Sequence, residues 1–152
     1  MIEARHLGRS YGPFRYAVGE EEIHDFAAVL AGRAPGRAFF HEPGPGEAGP
    51  GAPSRPLATP PTYCVRFAIE PFARACRDPE LGLDLARLLH GEQILELLEE
   101  VAPGDVFTTR GELTRVWEKA GMDFFTVRTT SVNQHGRLAV VGTFTAVVLP
   151  KR

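Results

Sequence analysis

The sequence predicts an α+β fold in which a curved antiparallel sheet wraps one central apolar helix. Three observations carry this. Between Thr62 and Ala73 only Arg66 and Glu70 are charged, so a helix there is apolar round most of its circumference and something must cover it. The second half holds runs rich in Val, Thr and Phe, separated by short glycine-containing turns, as hairpins require. The length of 152 residues, 43% of them hydrophobic, suits one domain with a real core.

Each element follows in order. Tyr11-Gly12-Pro13 marks a turn, and Phe14 to Val18 reads as a short extended piece. From Gly19 to Ala31 the residues Ile23, Phe26, Ala27 and Leu30 share one helical stripe. Glu20, Glu21 and Glu22 sit in its first turn, where the helix dipole favours them, and Gly32 is placed to end it. Seven prolines and four glycines then crowd residues 43–61. Proline lacks an N–H and glycine has the most entropy to lose, so this stretch is a long surface loop within a single domain spanning 1–152.

After Pro60-Pro61, Thr62 is the expected cap of the central helix. Val65, Ile69 and Phe72, or Ala68 and Phe72, supply its spacing, and Pro71 should kink or split it. Asp105 to Trp117, Asp123 to Ser131 and Arg137 to Leu149 read as strands, joined through Lys119-Ala120-Gly121 and Asn133-Gln134-His135-Gly136. Leu88 to Glu100 is ambiguous. Ile94, Leu97, Leu98 and Val101 fit a helical stripe, and pattern alone favours helix there. The resulting layout is the hot-dog arrangement. Its sheet covers the helix on one side only, so an edge strand stays open, and dimerisation through sheet edges is the expected remedy.

Composition narrows the function. With 17 basic against 19 acidic residues the chain lacks the footprint of a nucleic-acid binder. No apolar run approaches the ~20 residues of a membrane span, and MIEARHLGRS lacks the apolar core of a signal peptide, so a cytoplasmic location is expected. Cys64 and Cys76 belong to no metal or redox motif and read as small buried hydrophobes. No histidine pair has metal-ligand spacing, so no metal is expected.

Four segments resemble the MaoC-like dehydratase N-terminal domain, including accessory subunits of (3R)-hydroxyacyl-thioester dehydratases. They are Tyr16-Ala17-Val18-Gly19-Glu20 with Ile23 and Phe26-Ala27, then Ala58-Thr59-Pro60-Pro61-Thr62-Tyr63. Leu89-His90-Gly91-Glu92-Gln93 follows, and then Pro103-Gly104-Asp105 at the family's distance. The resemblance spans about residues 10–149, and it makes Leu88 to Glu99 a strand against the local pattern.

The resemblance implies an acyl-thioester ligand, carried on CoA or an acyl carrier protein, and no further cofactor. Active relatives carry an Asp-x-Asn-Pro-x-His segment whose Asp and His hold the catalytic water. Aligned on Pro35, this chain has Gly32 at the Asp, Ala34 at the Asn and Arg37 at the His. Glycine accepts no proton, and arginine stays protonated. The resemblance therefore implies a non-catalytic, acyl-pocket-forming subunit, in a homodimer or in a heterodimer with a catalytic MaoC-type chain. Thr62, Tyr63 and Cys64 at the start of the central helix are the substrate-binding candidates, with Tyr63, Val65 and Phe67 lining an acyl channel.

Two other readings stay open. One is a self-contained hydratase or thioesterase using His41, His90 or an unrecognised carboxylate. The other is a module that binds acyl-CoA without turnover. His90 on a sheet face also suits a structural, hydrogen-bonded role, while His24 and His135 are expected to face solvent. Arg33, Arg37, Arg55 and Arg66 read first as solvated charges and second as partners for a phosphopantetheine phosphate.

Overall fold

The computed structural model describes residues 2–30, 32 and 59–150. His41, Arg37, Arg33 and Arg55, and the predicted loop as far as Ala58, lie outside the described residues. Five strands form one antiparallel sheet: β1 (Ser10–Ala17), β2 (Leu88–Leu97), β3 (Val106–Lys119), β4 (Met122–Val132) and β5 (Leu138–Val148). Their order across the sheet is β1-β3-β4-β5-β2. Helix α1 (Glu20–Leu30) follows β1, and α2 (Val65–Ala68) and α3 (Glu70–Cys76) form the central layer. No helix among the described residues is long and apolar enough to cross a membrane.

Strand β3 shows how the sheet finds its inner face. Phe107, Thr109, Gly111 and Leu113 are buried, and the residues between them are not, which is the period of a strand with one wet side. Two hairpins continue the ladder. Between β3 and β4 the chain turns through Ala120 (φ 53°) and Gly121 (φ 74°), the backbone of a two-residue turn whose twist matches its strands. Between β4 and β5, Asn133 Oδ1 accepts from the N–H groups of His135 and Arg137, both at 3.0 Å, and closes the loop locally. The Gly104-Asp105 turn is also tied down. Asp105 Oδ2 accepts from Ala102 N at 2.8 Å, and Oδ1 accepts from Gln134 Nε2 at 2.9 Å.

Leu88–Leu97 is a strand, paired along its length with β5 and slipping register once, between His90 and Glu92. The helical stripe seen in its sequence has no helix behind it. Most of the strand is exposed, with Leu88 and Leu95 packing partly against the core.

The central helix begins earlier than expected. Pro60, not Thr62, occupies the N-cap place, and Pro61 to Cys64 form a 3-10 turn that runs into α2. Proline suits the first helical position because its φ is preset and its missing N–H is not needed there. Thr62 therefore caps nothing and stands exposed. The predicted kink is present: Pro71 has no N–H for the carbonyl of Phe67, and the helix divides into α2 and α3 at Ile69. Ile69 keeps the pieces together, donating to Val65 O at 3.2 Å and accepting from Ala73 N at 3.0 Å.

This layer lies on the inner face of the sheet. Phe67 stacks on Phe107 with ring centroids 4.4 Å apart, and Phe72 packs against Phe125 and Phe144 at 6.0 and 5.6 Å. Pro71 sits directly on Gly111, where an added Cβ would overlap its ring. In α1, Ile23 and Ala27 are buried as expected, joined by Ala28, and Phe26 meets Tyr63 edge-on at 5.5 Å. Leu30, placed on the buried stripe by its spacing, is 60% exposed, because no described residue covers the last turn of α1. Gly32 follows with φ +66° and its N–H on Val29 O at 3.0 Å, ending the helix as a left-handed residue should.

The seat of Pro71 gives the first test. Gly111→Ala should destabilise the fold by about 1–3 kcal/mol, because the new methyl forces the helix off the sheet. The urea midpoint should fall accordingly, and an unchanged midpoint would mean that the helix has room to move.

Candidate functional site

Where β1 ends, α1 begins and the central helix starts, four polar side chains converge. The Tyr16 hydroxyl donates to Glu22 Oε2 at 2.7 Å, and the hydroxyls of Tyr16 and Tyr63 are 3.0 Å apart. Arg66 Nε donates to the Tyr16 oxygen at 3.1 Å, and another guanidinium nitrogen donates to Glu22 Oε1 at 3.2 Å. Tyr63 also donates weakly to Glu22 at 3.4 Å. The hydrogen bond from Tyr16 is the main reason the Glu22 carboxyl is held below the ordinary carboxylate range, with the Arg66 charge adding to it and partial burial opposing it. Burial pushes the Tyr63 phenol up, so it stays a neutral donor at any working pH.

Beside this cluster lies a groove of about 390 Å³ between β1 and the central helix. Phe14, Tyr16 and Phe67 make its apolar wall, and Arg15, Arg66 and Glu70 its charged rim. No imidazole is among its described lining residues. A larger depression of about 610 Å³ lies beside Arg5, His6 and Arg9, but its arginines are already engaged. Arg5 pairs with Glu3, and Arg9 with both Asp78 and Glu80. Tyr11 adds a hydrogen bond to Asp78 at 3.0 Å, so this second group clasps β1 to the chain leaving α3. The smaller groove is the one with an open apolar wall.

Only part of the expected site is brought together. Tyr63 is completely buried and lies under the groove as a partner of Tyr16, so it does not line a channel. Phe67 does line the groove. Val65 packs half-buried against the core and is not among the groove's lining residues. Cys64 is buried with its thiol on Pro61 O at 3.2 Å, and burial pushes it up to about 11, as it does Cys76. Both are free thiols.

The histidines stand apart from the groove. His90 is on edge strand β2, at the far side of the strand order from β1, and its ring packs 5.1 Å from Phe72 rather than hydrogen-bonding. His24 is largely buried, not solvent-facing, and lies 3.9 Å from Glu20 one helical turn away. His135 is exposed in its turn. Among the described residues no three His, Cys, Asp or Glu side chains are grouped to hold a metal ion.

Sequence reasoning missed the Tyr16–Glu22–Tyr63–Arg66 cluster. Glu22 reads as a helix-dipole partner, and nothing local links it to residues more than 40 positions away. The one signal was Arg66, a lone cation in an otherwise apolar helix.

A five-stranded antiparallel sheet curved round a kinked apolar helix, with a groove at the helix start, defines the hot-dog class. Solved structures agree on the fold. A chain of the HadBC (3R-hydroxyacyl-ACP dehydratase) complex from Mycobacterium tuberculosis superposes with a TM-score of 0.67 at 23% identity, covering 93% of this chain and 96% of that one. The R-hydratase PhaJ1 from Pseudomonas aeruginosa gives 0.53 at 18% identity, covering 96% and 83%. Within that class, the model of the FAS1-like dehydratase domain region matches residues 5–141, and the chain belongs to this family as a MaoC-like hot-dog dehydratase domain. A UPF0336 protein of Saccharopolyspora erythraea is 32% identical over 128 residues, which is 84% of this chain and 78% of that protein. One from Thermobifida fusca is 30% identical over 149 residues, 97% and 93% of the two chains.

Two tests follow from the site. Native protein should react slowly with a thiol reagent at pH 8 and rapidly once unfolded, since both thiols are protonated and buried; fast labelling of the native chain would place Cys64 in an open groove. Glu22→Gln should lower the urea midpoint at neutral pH. A depressed carboxyl contributes stability above its ordinary value of 4.5 and loses it as pH falls through the native value, so the gap between wild type and variant should close in acid. A gap of constant size would remove the charge from the account.

Proposed function

We propose that this chain shapes the acyl pocket of a two-chain (R)-specific enoyl-thioester hydratase or 3-hydroxyacyl dehydratase, and leaves proton transfer to its partner chain. The observation that carries this is the groove: an apolar wall of Phe14, Tyr16 and Phe67 with arginines at the rim and no described imidazole. Adding water to an enoyl thioester needs one group to move a proton and others to steady the negative charge that grows on the carbonyl. Glu22, the carboxylate beside the groove, is a poor candidate for the first task. Donors from Tyr16, Tyr63 and Arg66 occupy it and lower its basicity. Glu70 on the rim has no imidazole beside it among the described lining residues with which to hold the water.

Gly32, which the alignment puts at the catalytic acid, is exposed, and no described residue lies within 4 Å of a Cβ built there. It has no side chain with which to hold water. What the groove offers a thioester is instead an apolar surface for the acyl chain, with Arg15 at its mouth for an anionic carrier, Arg66 being engaged by Tyr16 and Glu22. The neighbour from the HadBC complex supports a two-chain arrangement by analogy of fold.

The test compares the purified chain alone with the chain plus a MaoC-type protein carrying Asp-x-Asn-Pro-x-His, using trans-2-enoyl-CoA of several lengths. The lone chain should be at least ~10²-fold slower, the usual contribution of a positioned acid or base. His90→Ala should leave the rate of the mixture unchanged. Full turnover by the lone chain, or its loss in the His90 variant, would make this chain the catalytic one.

A further inference from the structure

Among the described residues, strand β2 is an edge of the sheet, paired with β5 alone. The other edge is blunted: in β1, Pro13 has no N–H to donate, and the ladder slips between Tyr11 and Phe14. Along β2 and just beyond it, Leu89, Ile94, Leu97 and Leu98 are exposed by 52, 48, 42 and 56%. Apolar side chains on an open edge mark a surface that another strand covers.

The charge on this edge says which strand. Residues 88–100 include Glu92, Glu96, Glu99 and Glu100, and neither lysine nor arginine. Arg137 pairs with Glu99 at 3.3 Å, while no described cation pairs with Glu92, Glu96 or Glu100. Glu92, Ile94 and Glu96 stand opposite Thr145, Thr143 and Val141, so one face of the edge reads acid, apolar, acid.

A second copy joined about a twofold axis would run antiparallel to β2. With the axis at Ile94, each Glu92 would face a Glu96. An axis at Glu92 or Glu96 sets that glutamate against its own copy, and an axis at Leu95 places the Glu96 pair diagonally. Like charges set across a strand pair and partly stripped of water oppose pairing.

We infer that the β2 edge is built to pair with a different hot-dog chain, one whose own edge strand presents lysine or arginine to Glu92 and Glu96. The same acidic row keeps two copies of this chain apart. This rests on the two-chain reading above and adds the rule by which the partner is chosen.

Sedimentation velocity tests the rule on the full chain at low (about 20 mM) and high (about 500 mM) salt. The probe partner is the chain itself with E92K, E96K and E100K, which keeps the fold and reverses the edge. Wild type mixed with this variant should form a one-to-one pair at least about tenfold tighter than wild type with itself, weakening as salt rises. The neutral variant E92Q/E96Q/E100Q should self-associate more readily than wild type at low salt. Circular dichroism of the variants confirms that all are folded. Wild-type dimers as tight as the mixed pair, or as tight as the neutral variant, overturn the rule.

The hydration assay keeps the two readings separate. If a MaoC-type chain is activated equally by wild type and the neutral variant, the pocket role stands and the charge rule falls. If the charge preference holds but no such chain is activated, the edge rule stands and the pocket role falls.

Discussion

The structure depends on one close approach, that of the central helix to the sheet at Pro71 and Gly111. Only a residue without a side chain lets the proline ring rest on the β3 backbone. Once it does, Phe67 comes down flat on Phe107 and Phe72 reaches Phe125 and Phe144. The kink and the seat are then two effects of one residue. Proline breaks the helical ladder, and its compact ring lets the break lie on the sheet without a void.

The helix start is held by different means. Tyr63 is wholly inside, and its hydroxyl needs a partner there. Tyr16 supplies it and passes the demand to Glu22, which Arg66 balances from the rim. The cluster joins β1, α1 and the central layer at the point where the groove opens. Its chemistry is that of a brace. A carboxylate surrounded by donors keeps its charge and gives little to a substrate, while the apolar wall beside it remains available. That division is the one the proposed pocket-forming role requires.

The same economy is visible at the sheet edges. In β1 the edge is interrupted by Pro13, and the Arg9–Asp78–Tyr11 clasp fastens the strand to the chain after α3. In β2 only Leu88, His90 and Leu95 reach the core, and the rest of the strand is exposed and carries an acidic row.

How much of this was legible in the sequence differs from element to element. The sheet strands after Asp105, the α1 helix, the kink at Pro71 and the apolar central helix are written in local periodicity and turn chemistry, which act over a few residues. Strand β2 was not, because a strand exposed along most of its length lacks the alternation by which a strand is recognised; only its likeness to a family made it one. The start of the central helix moved from Thr62 to Pro60 because a run of prolines can begin a helix with no side-chain cap. Leu30 left the stripe that its spacing gave it, since spacing defines a face but not what covers it.

The amino-acid sequence by itself determined the class of fold and the absence of a proton-accepting side chain at Gly32, since both follow from residue type and local order. Only the tertiary structure decided that Tyr63 lies beneath the groove, that Cys64 is sealed, and that Glu22 is a brace. Those roles arise from contacts between residues distant in the chain, and such contacts exist only once the sheet has closed on its helix.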